Sequence, residues 1–180
     1  MHLFGSPVRS AAVLVTVALA LVLAGTAIGA TLQKNGGPVT AVRTATADDY
    51  VYVQVANSPT MSWANVPGMS VSANVPSGEK GLLVITFSAV SQCNGTSGGF
   101  CHIRVLVDGT QANPGAVTFD SADDGPGGSV NSYETNSMQF IAGPKSAGAH
   151  TVTVQWAMSP YTNGTFTLLG RTLTVLRSKA

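Results

Sequence analysis

The stretch Gly95-Thr96-Ser97-Gly98-Gly99 matches Gly-x-Ser-x-Gly, the turn that presents a nucleophilic serine, and it also looks like the surroundings of a serine protease nucleophile. With Asp108 or Asp120 and then His150 downstream, the order is that of a serine–acid–histidine hydrolase. The chemistry needs a strand-to-helix turn, whereas Ser97 falls at the tip of a predicted hairpin with no helix after it. A protease order would need a histidine upstream, and His2 is alone there. We therefore expect no catalytic residues and no enzyme, with a hydrolase as a third reading.

A second cluster, Asp120-Ser121-Ala122-Asp123-Asp124-Gly125, could offer hard oxygen ligands to calcium. Ala122 and Asn131 occupy positions where a helix–loop–helix calcium loop needs ligands, so Asp120, Asp123 and Asp124 are expected to form a solvated turn, with no metal and no cofactor. His102 lies beside Arg104 on the outward parity of its strand, and His150 opens another strand, so no ligand spacing joins them. Tyr50 and Tyr52 project opposite Val51, Val53 and Val55. The plainer expectation is that they pack beneath an N-terminal arm. If exposed, they form an aromatic platform suited to sugars or protein partners, and with Trp63 they are the candidate ligand-binding residues. Asn94-Gly95-Thr96 and Asn163-Gly164-Thr165 fit the glycosylation acceptor pattern, and turn formation explains both.

Positioning these residues falls to strands. Leu83, Ile85, Phe87 and Ala89 rise with a period of two, and Ile103, Val105 and Val107 descend with the same period. If Cys93 pairs with Cys101 in one hairpin, residues 91 and 103, 89 and 105, and 87 and 107 face each other. Cys93 and Cys101 then share the core-facing side and are expected to form a disulfide. Further strands are read at Tyr50 to Val55, Met69 to Val75, Ala116 to Phe119, Tyr133 to Ile141, His150 to Trp156 and Thr165 to Arg177. In the last, Phe166 and Leu168 are even but Leu173 and Val175 are odd, which predicts a bulge at Gly170. No amphipathic helix follows residue 31. About eight strands imply an all-β fold, a single β-sandwich of jelly-roll type over 48–180, preceded by a linker or arm at 31–47.

At 180 residues, 44% hydrophobic and 9% charged, the chain has material for one core. Arg9 precedes the apolar run Ala11 to Ala24, which closes in Gly25, Thr26, Ala27, Gly29 and Ala30. Residues 1–30 are read as a signal peptide cleaved after Gly29 or Ala30, the alternative being a membrane anchor. Removing Arg9 leaves eight bases against eight acids, so the mature chain has no electrostatic reason to bind nucleic acid or an anionic membrane.

Leu83-Val84-Ile85-Thr86-Phe87-Ser88-Ala89, the stretch Cys101 to Gly109, and His150-Thr151-Val152-Thr153-Val154-Gln155-Trp156 together resemble small exported β-sandwich proteins of high-GC Gram-positive bacteria with no assigned activity. The strand order is similar to jelly rolls of the tumour necrosis factor and complement globular-head kind. The resemblance spans roughly residues 69–177 and implies a fold and the option of a homo-oligomer, with no catalytic residue to transfer. The expected function is a secreted or cell-surface, non-enzymatic binding module for a glycan or a protein. The alternative is a structural or oligomeric surface protein without a small ligand.

Overall fold

The structure, a computed structural model, describes residues 38–56, 58–95, 99–122 and 132–180. Among these, ten strands and no helix form: β1 Val39–Ala47, β2 Val51–Val55, β3 Ala64–Val75, β4 Gly81–Gly95, β5 Phe100–Val107, β6 Thr110–Gln111, β7 Val117–Ser121, β8 Glu134–Lys145, β9 Gly148–Met158 and β10 Gly164–Lys179. Side-chain alternation makes them strands. In β4, Leu83, Ile85, Phe87, Ala89, Ser91 and Cys93 are buried and the even residues between them are half-exposed. The expected signal peptide or anchor at 1–30 lies outside the described residues.

The strands form two antiparallel sheets. The first has the order β1-β10-β4-β8, with β2 prolonging β1 along β10; the second has β3-β9-β5-β6, with β7 prolonging β6 along β5. Counting β1/β2 and β6/β7 as two interrupted strands leaves eight, and the chain then alternates between sheets except at the β5–β6 turn. That is the expected jelly-roll sandwich. The β5–β6 turn is the two-residue Asp108-Gly109, both at positive φ (54° and 78°), as a tight hairpin turn requires.

Three details differ from the sequence reading or sharpen it. First, β4 and β5 do not pair as a hairpin. Phe87 lies opposite Leu173 on β10 and Met138 on β8, while Val105 lies opposite Val154 on β9. A period of two fixes which face is buried and says nothing of which strand lies alongside, so the two odd-numbered sets face each other across the core. The Cys93–Cys101 disulfide forms, with Cα atoms 5.8 Å apart, and it joins the two sheets. Second, residues 39–47, read as part of a linker or arm, are an edge strand on β10, from Val39 opposite Ser178 to Ala47 opposite Arg171. Third, the bulge is where it was expected. The register slips between Leu169 and Thr172, and Gly170 has φ +55°. A similar slip in β3 falls between Asn65 and Ser70, around Pro67 and Gly68.

The core lies between the sheets. Leu83, Ile85, Phe87, Phe166, Leu168, Leu173 and Val175 of the first sheet meet Ile103, Val105, Val107, Val152, Val154 and Trp156 of the second. Ring pairs cross it: Phe87 with Phe119 at 5.4 Å and Trp156 with Phe166 at 5.7 Å between centroids. Each large side chain so buried contributes about 1.5–3 kcal/mol, so the two inner faces hold the sandwich closed and the outer faces are turned to solvent.

Candidate functional site

Beginning with the bulge, Gly170 resets the parity of β10, so Arg171 shares the inward side with Leu173 and is buried. Its Nη1 donates to the carbonyls of Asp49 (2.6 Å) and Leu168 (3.3 Å), and its Nη2 to Asp49 Oδ1 (2.6 Å). Asp49 sits in the break between β1 and β2, directly across from the bulge. The pair therefore pins that break, and the next residue, Tyr50, leaves it outward.

Tyr50 and Tyr52 are 54% and 61% exposed, with ring centroids 6.1 Å apart and planes tilted by 54°. They do not pack beneath residues 38–47, the described part of the expected arm. Residues 39–47 are engaged as the strand in line with β2, so they cannot also lie over it. The Tyr50 hydroxyl is 3.4 Å from that of Thr167, which lies between Tyr52 and Gln92 in the outer row of the sheet and is buried there. Tyr133, 50% exposed, lies near them: partial loss of hydration, and then the neighbouring Tyr50 phenol, raise its phenol above the ordinary value. In the sequence Tyr133 only opens a strand. Its sole signal was a third tyrosine at a strand end, and partnership with Tyr50 depends on β8 and β2 belonging to one sheet.

Trp63 is elsewhere, on the outer face of the second sheet. The Arg104 guanidinium carbon lies 4.3 Å from its ring centroid. Arg104 Nε donates to Gln155 Oε1 (2.8 Å), and Gln155 Nε2 to Asn65 Oδ1 (2.8 Å), in a row that crosses β5, β9 and β3. The candidate ligand residues thus form two surfaces, Tyr50 with Tyr52 on one sheet and Trp63 on the other.

Of the hydrolase elements, Ser97 lies outside the described residues. Asp108 and His150 do meet, with His150 Nδ1 2.7 Å from Asp108 Oδ2, Nε2 2.8 Å from the Ser146 carbonyl, and Lys145 Nζ 3.7 Å from Asp108. The Asp108 carboxylate and the Ser146 carbonyl raise the imidazole above its ordinary value. With both ring nitrogens turned to acceptors, no basic nitrogen is left to take a proton from a nucleophile. His102, half-buried, is held below its ordinary value by burial and reaches Ser159 Oγ at 3.0 Å.

Asp123 and Asp124 lie outside the described residues. Asp120 is in β7 rather than in a loop: Oδ2 accepts from Ser91 Oγ and Oδ1 from the Ser121 amide, both at 2.7 Å, while Asn136 Nδ2 donates to Ser91 at 3.0 Å. The carboxylate joins the two sheets beside the disulfide. Asn94-Gly95 closes β4 and Asn163-Gly164 opens β10, with Gly95 opposite Gly164. A Cβ at Gly164 would overlap the Asn94 carbonyl.

No protein-family model matches the chain, and no curated protein matches it. Among solved structures, a chain of infectious bursal disease virus Gt strain is 12% identical with a TM-score of 0.43, covering 78% of this chain and 38% of the viral one. Dimeric latent PorU from Porphyromonas gingivalis is 11% identical with a TM-score of 0.39, covering 80% of this chain and 14% of PorU. A family 35 carbohydrate binding module from Clostridium thermocellum is 13% identical with a TM-score of 0.35, covering 75% of this chain and 98% of that module. The chain spans well under two thirds of the viral and PorU chains.

Proposed function

We propose that this chain is an exported, non-enzymatic binding module that holds a glycan or a protein partner on the tyrosine surface of its first sheet. The observation that carries the reading is the cluster of three exposed rings, Tyr50, Tyr52 and Tyr133, beside Thr167 and Gln92 on the outer face of the first sheet. Flat aromatic faces supply stacking and apolar burial, the sources of affinity open to a chain of almost no net charge. The apolar N-terminal run and the disulfide support export. A glycan array probed with the secreted protein tests this: Tyr50→Ala or Tyr52→Ala should weaken a detected interaction by about 1–3 kcal/mol while changing stability by less than about 0.5 kcal/mol. An interaction untouched by both substitutions would refute the assignment.

A structural or self-associating role is the second reading, and a different observation favours it. Val42, Leu176, Val84 and Ile141 lie opposite one another in a single row across β1, β10, β4 and β8, on the outer face of the first sheet. Val42 and Ile141 are exposed. A concentration-dependent mass in sedimentation, lost in Val42→Ser/Ile141→Ser, would mark this row as a contact between copies.

A further inference from the structure

We infer that the outer face of the second sheet carries a separate ligand site, centred on Arg104 and Trp63, for a carboxylate-bearing sugar. Among the described arginines, Arg171 pairs with Asp49 and Arg177 with Glu79, while the exposed Arg43 reaches only the Val42 carbonyl. Arg104 is half-buried and as firmly held, yet its neighbours are neutral: Gln155 at Nε, Gln111 Oε1 at 3.5 Å from Nη1, and the Trp63 ring. Among the described residues no carboxylate lies within ion-pairing distance of it.

Its orientation is fixed from behind. Asn65 engages the amide nitrogen of Gln155, which turns the Gln155 oxygen to Arg104, while Nη1 meets only Gln111 at 3.5 Å and Nη2 has no hydrogen-bond partner among the described residues. Two parallel N–H groups on one planar edge match the two oxygens of a carboxylate, and a guanidinium already immobilised loses little further freedom on binding.

The surroundings favour a sugar over a simple anion. The adjoining row across the same strands is Ser70, Thr153, Leu106 and Gln111, with Ser70 Oγ 3.1 Å from Thr153 Oγ1. These hydroxyls and amides can donate to and accept from ring hydroxyls, and the half-exposed indole walls one side against water. One fixed positive charge beside neutral polar groups suits a single carboxylate rather than a polyphosphate. The site is independent of the tyrosine surface, which belongs to the other sheet.

Titrating the full exported chain with trigalacturonate and with glucuronate, followed by the two indole N–H signals in NMR, tests the inference. Trp156 is buried in the core and serves as the internal control. The expected result is a saturable shift of the Trp63 signal alone with at least one of the two acids, at millimolar concentration or below. The uncharged methyl ester should produce none. Arg104→Gln should weaken binding about tenfold or more, with Arg104→Lys intermediate because a point charge lacks the fork. Tyr50→Ala should leave the titration unchanged, which separates this site from the tyrosine reading. Absence of a shift with both acids, equal binding of ester and acid, or undiminished binding by a folded Arg104→Gln would each overturn it. The ester comparison on the unmodified protein decides the matter should Arg104→Gln not fold.

Discussion

Asp49→Ala should destabilise the fold more than Arg171→Met does, although Asp49 is the exposed partner of the pair. The Arg171 side chain is 1% exposed and that of Asp49 66%. Removing the carboxylate leaves a guanidinium inside with two carbonyls and no counter-charge, and its Nε already lacks a hydrogen-bond partner among the described residues. Uncompensated buried charges of this kind cost about 3–5 kcal/mol. Because both carbonyls remain and the lost carboxylate faced water, the lower end applies, about 3 kcal/mol. Arg171→Met removes the charge and the orphaned nitrogen together, keeps most of the volume, and deprives two carbonyls of a donor, for a cost of about 1–2 kcal/mol. The double variant should resemble Arg171→Met alone, because the liability that Asp49 offsets is then absent. Equilibrium urea unfolding followed by tryptophan fluorescence measures all three. If Asp49→Ala costs under about 0.5 kcal/mol, or if Arg171→Met is the more damaging single change, the pair does not pin the break between β1 and β2 as described.

Replacing Cys93 and Cys101 together by alanine should lower stability by about 2.5 kcal/mol from loop entropy for roughly nine residues, and alkylation of the native protein should find no free thiol; two alkylated cysteines would contradict the bond. His150 and Asp108 should give stability a broad optimum in pH. The imidazole is raised, so its contribution is complete below its ordinary value of 6.5 and is lost as pH climbs through the raised one. Burial pulls the Asp108 carboxyl upward but is outweighed by His150, the Thr151 amide and Lys145, so its contribution is complete above 3.8 and is lost as pH falls through the depressed value. The stability gap between the unmodified protein and His150→Gln should therefore shrink by about 1 kcal/mol from roughly pH 6 to pH 9, and a constant gap would contradict the assignment. Millimolar calcium should leave the melting temperature unchanged, since both oxygens of the Asp120 carboxylate already accept hydrogen bonds; a rise abolished by Asp124→Ala would show the opposite.

Period-two patterning made β4, β5, β9 and most of β10 legible in the chain, because a half-buried strand must alternate whatever lies beside it. The change of parity between Leu168 and Leu173 located the bulge, since only a slip could bury both sets. Pairing was less visible. The odd-numbered faces of β4 and β5 fit a shared hairpin and two opposed sheets equally well, and the deciding term is the tertiary connection. β1 escaped because Val39, Thr40, Ala41 and Val42 do not alternate and the strand is mostly exposed. Trp63 was identifiable as an isolated aromatic residue, but Arg104, Gln155 and Asn65 become a row only through the register of three strands distant in sequence.

The interruptions along the outer strands have a consequence for the molecule among its own copies. β1 and β2 are broken at the Asp49 turn, β6 and β7 between Gln111 and Val117, β3 by Pro67 and Gly68, and β8 by Gly143-Pro144 near its end. A neighbouring chain seeking to add itself as one more strand meets a missing amide, a kink or a change of register on every side. Growth into ribbons or fibrils is thereby discouraged without shielding either outer surface, so copies can be crowded together while their flat faces remain uncovered.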